Sequence, residues 1–136
     1  MFNLIVLEMK IEKFEDLEIW QLARVLSRNI CKITSKYPFL HDYKLRDQIR
    51  SSSGSVMDNI AEGFEREGNK EFVQFLSISK GSCGECRSQA YRAFDYQYLD
   101  QKELDELIIS TMSLSKQISG FMTYLKKSDF RGSKFR

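Results

Sequence analysis

Three cysteines and one histidine are the side chains of this 136-residue chain best suited to nucleophilic, redox or metal chemistry. Cys83-Gly84-Glu85-Cys86 has the spacing of a dithiol pair, in which a helix N-terminus lowers the pKa of the first thiol and the second resolves a mixed disulfide. The surroundings argue against that use. The pair falls well inside a helical stretch, on its apolar arc and with no strand before it, so inert buried thiols are expected. Cys31, Cys83, Cys86 and His41 are ligand types that zinc accepts, yet one Cys-x-x-Cys is half a zinc signature and His41 lies in a connection beyond Cys31. A di-iron bundle needs Glu-x-x-His on each of two helices, which a single histidine cannot supply. His41 has no adjacent nucleophile for a triad, and no GxxxxGK[ST] or GxGxxG loop is present to cradle phosphate. The expectation is a non-enzyme with no catalytic residues, no metal site and no cofactor.

Two further sets of residues remain. Asn59, Glu62, Ser82 and Glu85 could form a polar site between helices or subunits. Isolated carboxylates do not make an acid–base pair, so the expected role is hydrogen bonding that fixes helix register or subunit orientation. Arg24, Arg28, Lys32 and Lys36 recur every four residues and, with Arg46 and Arg50, make the candidate nucleic-acid-binding surface. Residues 24–50 hold seven cations against two anions, and residues 126–136 hold five against one, although the whole chain carries only +2. Such segregation creates a basic surface without a basic composition.

Four helices are expected to position these residues. One proline and seven glycines are too few turn residues for a sandwich or barrel, and a composition 42% hydrophobic and 29% charged suits a single soluble domain. The first helix reads from about Asp16 to Tyr37. Its inward arc is Ile19, Leu22, Ala23, Leu26, Ile30, Ile33 and Tyr37, with the cations opposite and Pro38 as the stop. The second, about His41 to Glu67, buries Leu45, Ile49, Ser52, Ser53, Val56, Ile60 and Phe64. Its Ser51-Ser52-Ser53-Gly54-Ser55 run has poor helix propensity, so close approach of a neighbouring backbone is expected there. Gly68 reads as a stop and Asn69 as the N-cap of the third helix, about Lys70 to Tyr98. That helix aligns Phe72, Phe75, Leu76, Ser79, Ser82, Cys83, Cys86, Ala90, Ala93 and Phe94. Asp100 and Glu103 read as a capping box for the fourth helix, which buries Leu104, Leu107, Ile108, Thr111, Leu114, Ile118, Met122 and Leu125. The predicted fold is an all-α, antiparallel up-down-up-down four-helix bundle over residues 14–127, with an N-terminal extension (1–13) and a basic tail (128–136). Leu17, Trp20, Val25, Val73, Tyr91 and Ile109 fall outside the assigned arcs, which suggests self-association. No apolar stretch approaches the ~20 residues of a membrane span, and three cysteines without a legible secretory signal favour the cytoplasm.

The segments KFEDLEIWQLA (13–23), QIRSSSGSVMDNIAEGFER (48–66) and EFVQFLSISKGSCGE (71–85) resemble the four-helix-bundle family encoded in intervening sequences of bacterial 23S ribosomal RNA genes. NIAEGF and the GSxxE pattern at 81–85 are the most distinctive pieces, and the likeness runs from residue 9 to about 125. It implies a homopentamer without known enzymatic activity. The family is also similar to the accessory variability determinant of diversity-generating retroelements, a basic pentamer that binds nucleic acid and a reverse transcriptase. The chain departs from the common pattern at its serine run and at Cys83 and Cys86. The expected function is therefore electrostatic binding of RNA or DNA backbone by an oligomeric bundle, associated with 23S ribosomal RNA. The alternative is a scaffold for a protein partner such as a reverse transcriptase, without nucleic-acid binding.

Overall fold

The computed structural model describes residues 11–128. Apart from residues 11–13 and 128, the extension and the basic tail lie outside the described residues. A 3-10 turn, Phe14–Asp16, leads into α1 (Glu18–Thr34). A second, Phe39–His41, leads into α2 (Tyr43–Glu65), followed by α3 (Asn69–Asp95) and α4 (Gln101–Lys127). The described residues are all-α and contain no strand.

The ends of the helices follow from local hydrogen bonding. The Asp42 carboxylate accepts from the Leu45 amide at 3.1 Å and so caps α2. At α4 the Asp100 side chain accepts from the Glu103 amide while the Glu103 carboxylate accepts from the Asp100 amide, the reciprocal box expected from sequence. Three expected boundaries are corrected. α1 stops at Thr34, where the Thr34 and Ser35 hydroxyls donate to the Ile30 and Cys31 carbonyls. Tyr37 is therefore off the helix and 81% exposed rather than inward. α3 stops at Asp95, because Gln97 takes φ 68° and the Tyr98 and Gln97 amides fold back onto the Ala93 and Phe94 carbonyls. At the start of α3 the cap position is Gly68, whose φ of 84° suits glycine. Asn69 is already helical, and its side-chain amide donates to the Leu125 carbonyl at the end of α4.

The core draws on all four helices. Ile19, Ala23, Leu26 and Ile30 from α1 meet Leu45, Ile49, Val56 and Ile60 from α2, Leu76, Cys83, Cys86 and Ala90 from α3, and Leu107, Leu114, Ile118 and Leu125 from α4. Phe121 is buried on α4 where the sequence pointed to Met122, which is half-buried. Leu17, read as outside the core, is also buried, because the chain folds back there before α1 begins. α3 packs most extensively, against α2 and α4, whereas α1 packs on α2 and meets α4 sparsely.

Close approach was expected at the serine run, and at Gly54 it is absent. A Cβ on Gly54 would meet nothing within 4 Å, whereas one on Gly63 would sit 2.7 Å from the Phe75 Cβ and 2.9 Å from Phe72 Cδ1. Ser52 and Ser53 are buried, and Gly63 is small because α3 presses against it. Buried polar groups are satisfied within this packing: Ser79 Oγ donates to the Val56 carbonyl at 2.7 Å and Thr111 Oγ1 to the Leu107 carbonyl at 2.7 Å. No helix among the described residues is long and apolar enough to cross a membrane.

Candidate nucleic-acid interface

α1 turns its cations outward because its opposite face is fixed in the core by Ile19, Ala23, Leu26 and Ile30. Arg24, Arg28 and Lys32 are exposed, and none has a carboxylate partner among the described residues. The Arg24 guanidinium lies 5.7 Å over the Trp20 ring, which in turn meets Phe14 edge-on at 5.2 Å. That contact steadies the arginine and leaves its charge uncompensated.

The other three predicted cations are engaged. Lys36, just past the helix, has its Nζ 3.6 Å from the Glu103 carboxylate of α4. Arg46 pairs with Asp47 at 2.9 Å, donates to the Leu40 carbonyl and lies 4.9 Å over the Tyr43 ring. Arg50 is half-buried and faces α1, its Nε donating to Thr34 Oγ1 at 2.8 Å and its Nη2 to Ser35 Oγ at 3.3 Å. Sequence periodicity could not separate Arg50 from the stripe, because the acceptors that hold it belong to another helix. On the α4 side the stripe borders a groove of about 470 Å³, lined by Asn29, Lys32, Ile33, Lys36, Glu103 and Glu106. Its far wall carries two carboxylates, so an anion is attracted to the crest of α1 rather than into the groove.

The predicted polar set divides in two. Ser82 Oγ and the Asn59 side-chain amide both donate to Ser55 Oγ, at 3.0 and 2.8 Å, which ties α2 to α3. Nearby, Gln89 accepts from Ser52 Oγ at 2.6 Å and donates to the Glu85 carboxylate at 3.3 Å. Glu62 stands apart, paired with Arg66 at 2.8 Å. This arrangement fits registration of α2 against α3. Gln89 was not anticipated, although it follows Ser82 and Cys86 at helical spacing on the buried arc.

Cys83 and Cys86 take the buried positions expected of them. Cys83 and Cys86 are buried and Cys31 is exposed, and all three are free. Burial, followed by the neighbouring Cys83 thiol, pushes Cys86 up to about 12. Burial likewise raises Cys83, whose Sγ lies 3.2 Å from the Thr111 carbonyl. A thiol held protonated is a poor nucleophile and a poor metal ligand. Among the described residues no three His, Cys, Asp or Glu side chains come together in a way that could hold a metal ion.

Comparison with known proteins adds one positive finding. The family model described as "23S rRNA-intervening sequence protein" matches residues 15–120. No curated protein matches the chain.

Proposed function

Because the chain belongs to the 23S rRNA-intervening sequence protein family, we propose that it is a non-enzymatic, self-associating bundle that binds nucleic-acid backbone through the crest of α1. The observation that carries this reading is the row Arg24, Arg28 and Lys32, exposed and without carboxylate partners among the described residues. Arg46 and Arg50 contribute to the positive potential while serving mainly as structural links. The mechanism is release of counterions from phosphates, with steep salt dependence and little sequence preference.

An antiparallel up-down-up-down arrangement is supported by pairs such as Ser52 with Gln89 and Val56 with Ser79, in which rising numbers on α2 meet falling numbers on α3. Cys83 with Thr111 and Asn69 with Leu125 do the same for α3 and α4. Self-association is supported by exposed apolar side chains, Val25, Ile78, Tyr91, Ile109 and Met112, and the pentameric number rests on the family resemblance alone. A ring would repeat the α1 charge and strengthen a patch that is modest in one subunit. The free thiols suit the reducing cytoplasm.

A second reading, a scaffold that binds a protein such as a reverse transcriptase and no nucleic acid, draws on Ile109 and Met112, which are 69% and 56% exposed on α4. Affinity for RNA and DNA measured across a salt series separates the two. Binding at low salt that weakens steeply as salt rises, and that falls at least roughly tenfold in Arg24→Glu/Arg28→Glu with unchanged helical content, supports the first reading. Absent binding at low salt removes it.

A further inference from the structure

The α1 stripe ends at Lys36, and next to it stands a group of aromatic rings that the backbone-binding reading does not use. Tyr37, Tyr43 and Tyr96 are 81%, 61% and 53% exposed, and His41 between the first two is exposed as well. Exposed large aromatics cost free energy in water, and four at one end of a bundle call for a partner. Their geometry is ordered. Tyr37 and His41 lie 5.6 Å apart at 72°, and His41 and Tyr43 lie 6.4 Å apart at 56°. Rings so inclined do not cover one another face to face, and the exposure of Tyr37 leaves ring face open to a ligand.

Rigid contacts below hold the platform in place. Phe39 is buried and stacks on Tyr98 at 4.9 Å and 23°, and Tyr98 meets Tyr96 at 5.9 Å. The Tyr98 hydroxyl donates to the Asp42 carboxylate at 2.8 Å, which joins the α1–α2 and α3–α4 connections into one end surface. A depression of about 470 Å³ lined by Asp42, Lys44, Gln48, Arg92 and Tyr96 lies between them. The charge there is divided: Asp95, Asp100, Asp105 and Glu106 are exposed on the α3–α4 side, whereas Lys36 and Lys44 are exposed on the α1–α2 side, so a polyanion would be held along the α1–α2 side. Asp42 already accepts two hydrogen bonds, while Asp47 and Glu103 are paired with Arg46 and Lys36. Lys44 and Arg92 have no carboxylate partner among the described residues.

We propose that this end of the bundle is a stacking platform for unpaired bases, so that the ligand of the α1 crest is single-stranded nucleic acid rather than duplex. The proposal rests on the nucleic-acid reading above. Aromatic faces beside phosphate-binding cations are the means by which proteins hold single strands without reading sequence, whereas a duplex keeps its base faces covered. The phosphates follow Arg24, Arg28 and Lys32, and the bases of the strand reaching Lys36 turn onto Tyr37 and onto the face of Tyr43 opposite the Arg46 guanidinium, which lies 4.9 Å over the ring.

The test measures binding of the full chain to a labelled single-stranded RNA of about 12 nucleotides, a DNA of the same sequence, and an RNA duplex of that length. The expected result is preference for the single strands, with Tyr37→Ala and Tyr43→Ala each weakening them roughly 5- to 150-fold per lost stacking contact. Duplex affinity and salt slope stay unchanged, and Tyr37→Trp restores binding. Equal losses with RNA and DNA assign recognition to the base faces, whereas a loss confined to RNA counts against stacking, since DNA offers the same base faces. The proposal is overturned by duplex preference in the wild type, by single-strand affinity that survives both alanine substitutions, or by tyrosine variants whose native mass changes, which would mark a subunit contact. If the tyrosine variants bind normally while Arg24→Glu/Arg28→Glu does not, the platform fails and the backbone reading stands. If the wild type binds no nucleic acid, both fail.

Discussion

Individual side chains show how one residue type serves opposite ends in this molecule. Cys31 is open to solvent, while Cys86 sits in the core with its thiol pushed up to about 12, chiefly by burial. The unfolded chain releases that proton near the ordinary value of 9.0, whereas the native chain holds it through higher pH. Stability is therefore complete below about pH 9 and falls as pH climbs from there, by up to about 1.4 kcal/mol per pH unit for this thiol. Burial raises Cys83 and Tyr124 in the same sense, so Cys86→Ala is expected to make the alkaline decline shallower without abolishing it. Urea unfolding at several values between pH 8 and 11 checks this, and an identical slope in the variant would refute it. Arginines diverge as sharply: Arg28 is solvent-facing, and Arg50 is a strut between α1 and α2.

At the level of helices, a tight joint lies where Gly63 of α2 meets Phe72 and Phe75 of α3. Gly63→Ala places a methyl against a Cβ and should destabilise by about 1–3 kcal/mol, since the Phe75 Cβ cannot move without shifting the helix. Gly54→Ala, also mid-helix but facing open space, should stabilise by about 0.4–1 kcal/mol through helix propensity and reduced freedom of the unfolded chain. Thermal unfolding of the two variants checks the contrast, and equal shifts would contradict it. This joint also marks the limit of what the sequence conveys. Periodicity alone located four helices and nearly all their inward residues, because burial of an apolar arc is a local pattern. Ends were less legible: Tyr37 and Tyr98 continue the period, but the hydroxyls of Thr34 and Ser35 and the left-handed turn at Gln97 stop the helices earlier. Least legible were contacts made between helices, such as Arg50 with Thr34 or Gln89 with Ser52, since their partners lie far along the chain. The outward placement of the α1 cations was accordingly legible in the sequence, and the aromatic end beside them was not foreseen.

For the molecule as a whole, the four helices are unequally secured. α2 and α3 share the polar ties through Ser55 and Gln89 together with the Gly63 contact, and Asn69 fastens α3 to the last turn of α4. α1 is held by α2, by Arg50, and across a groove by the exposed Lys36–Glu103 pair, a contact of little energetic worth. In native-state hydrogen exchange, amides of α1 should open at lower free energy than those of α2 and α3, and uniform protection across the four helices would contradict this. An anion bridging Arg24, Arg28 and Lys32 would then act as an external splint on the loosest quarter of the fold. Occupancy of the crest would be felt as rigidity, with α1 amides slowing before any other part of the protein responds.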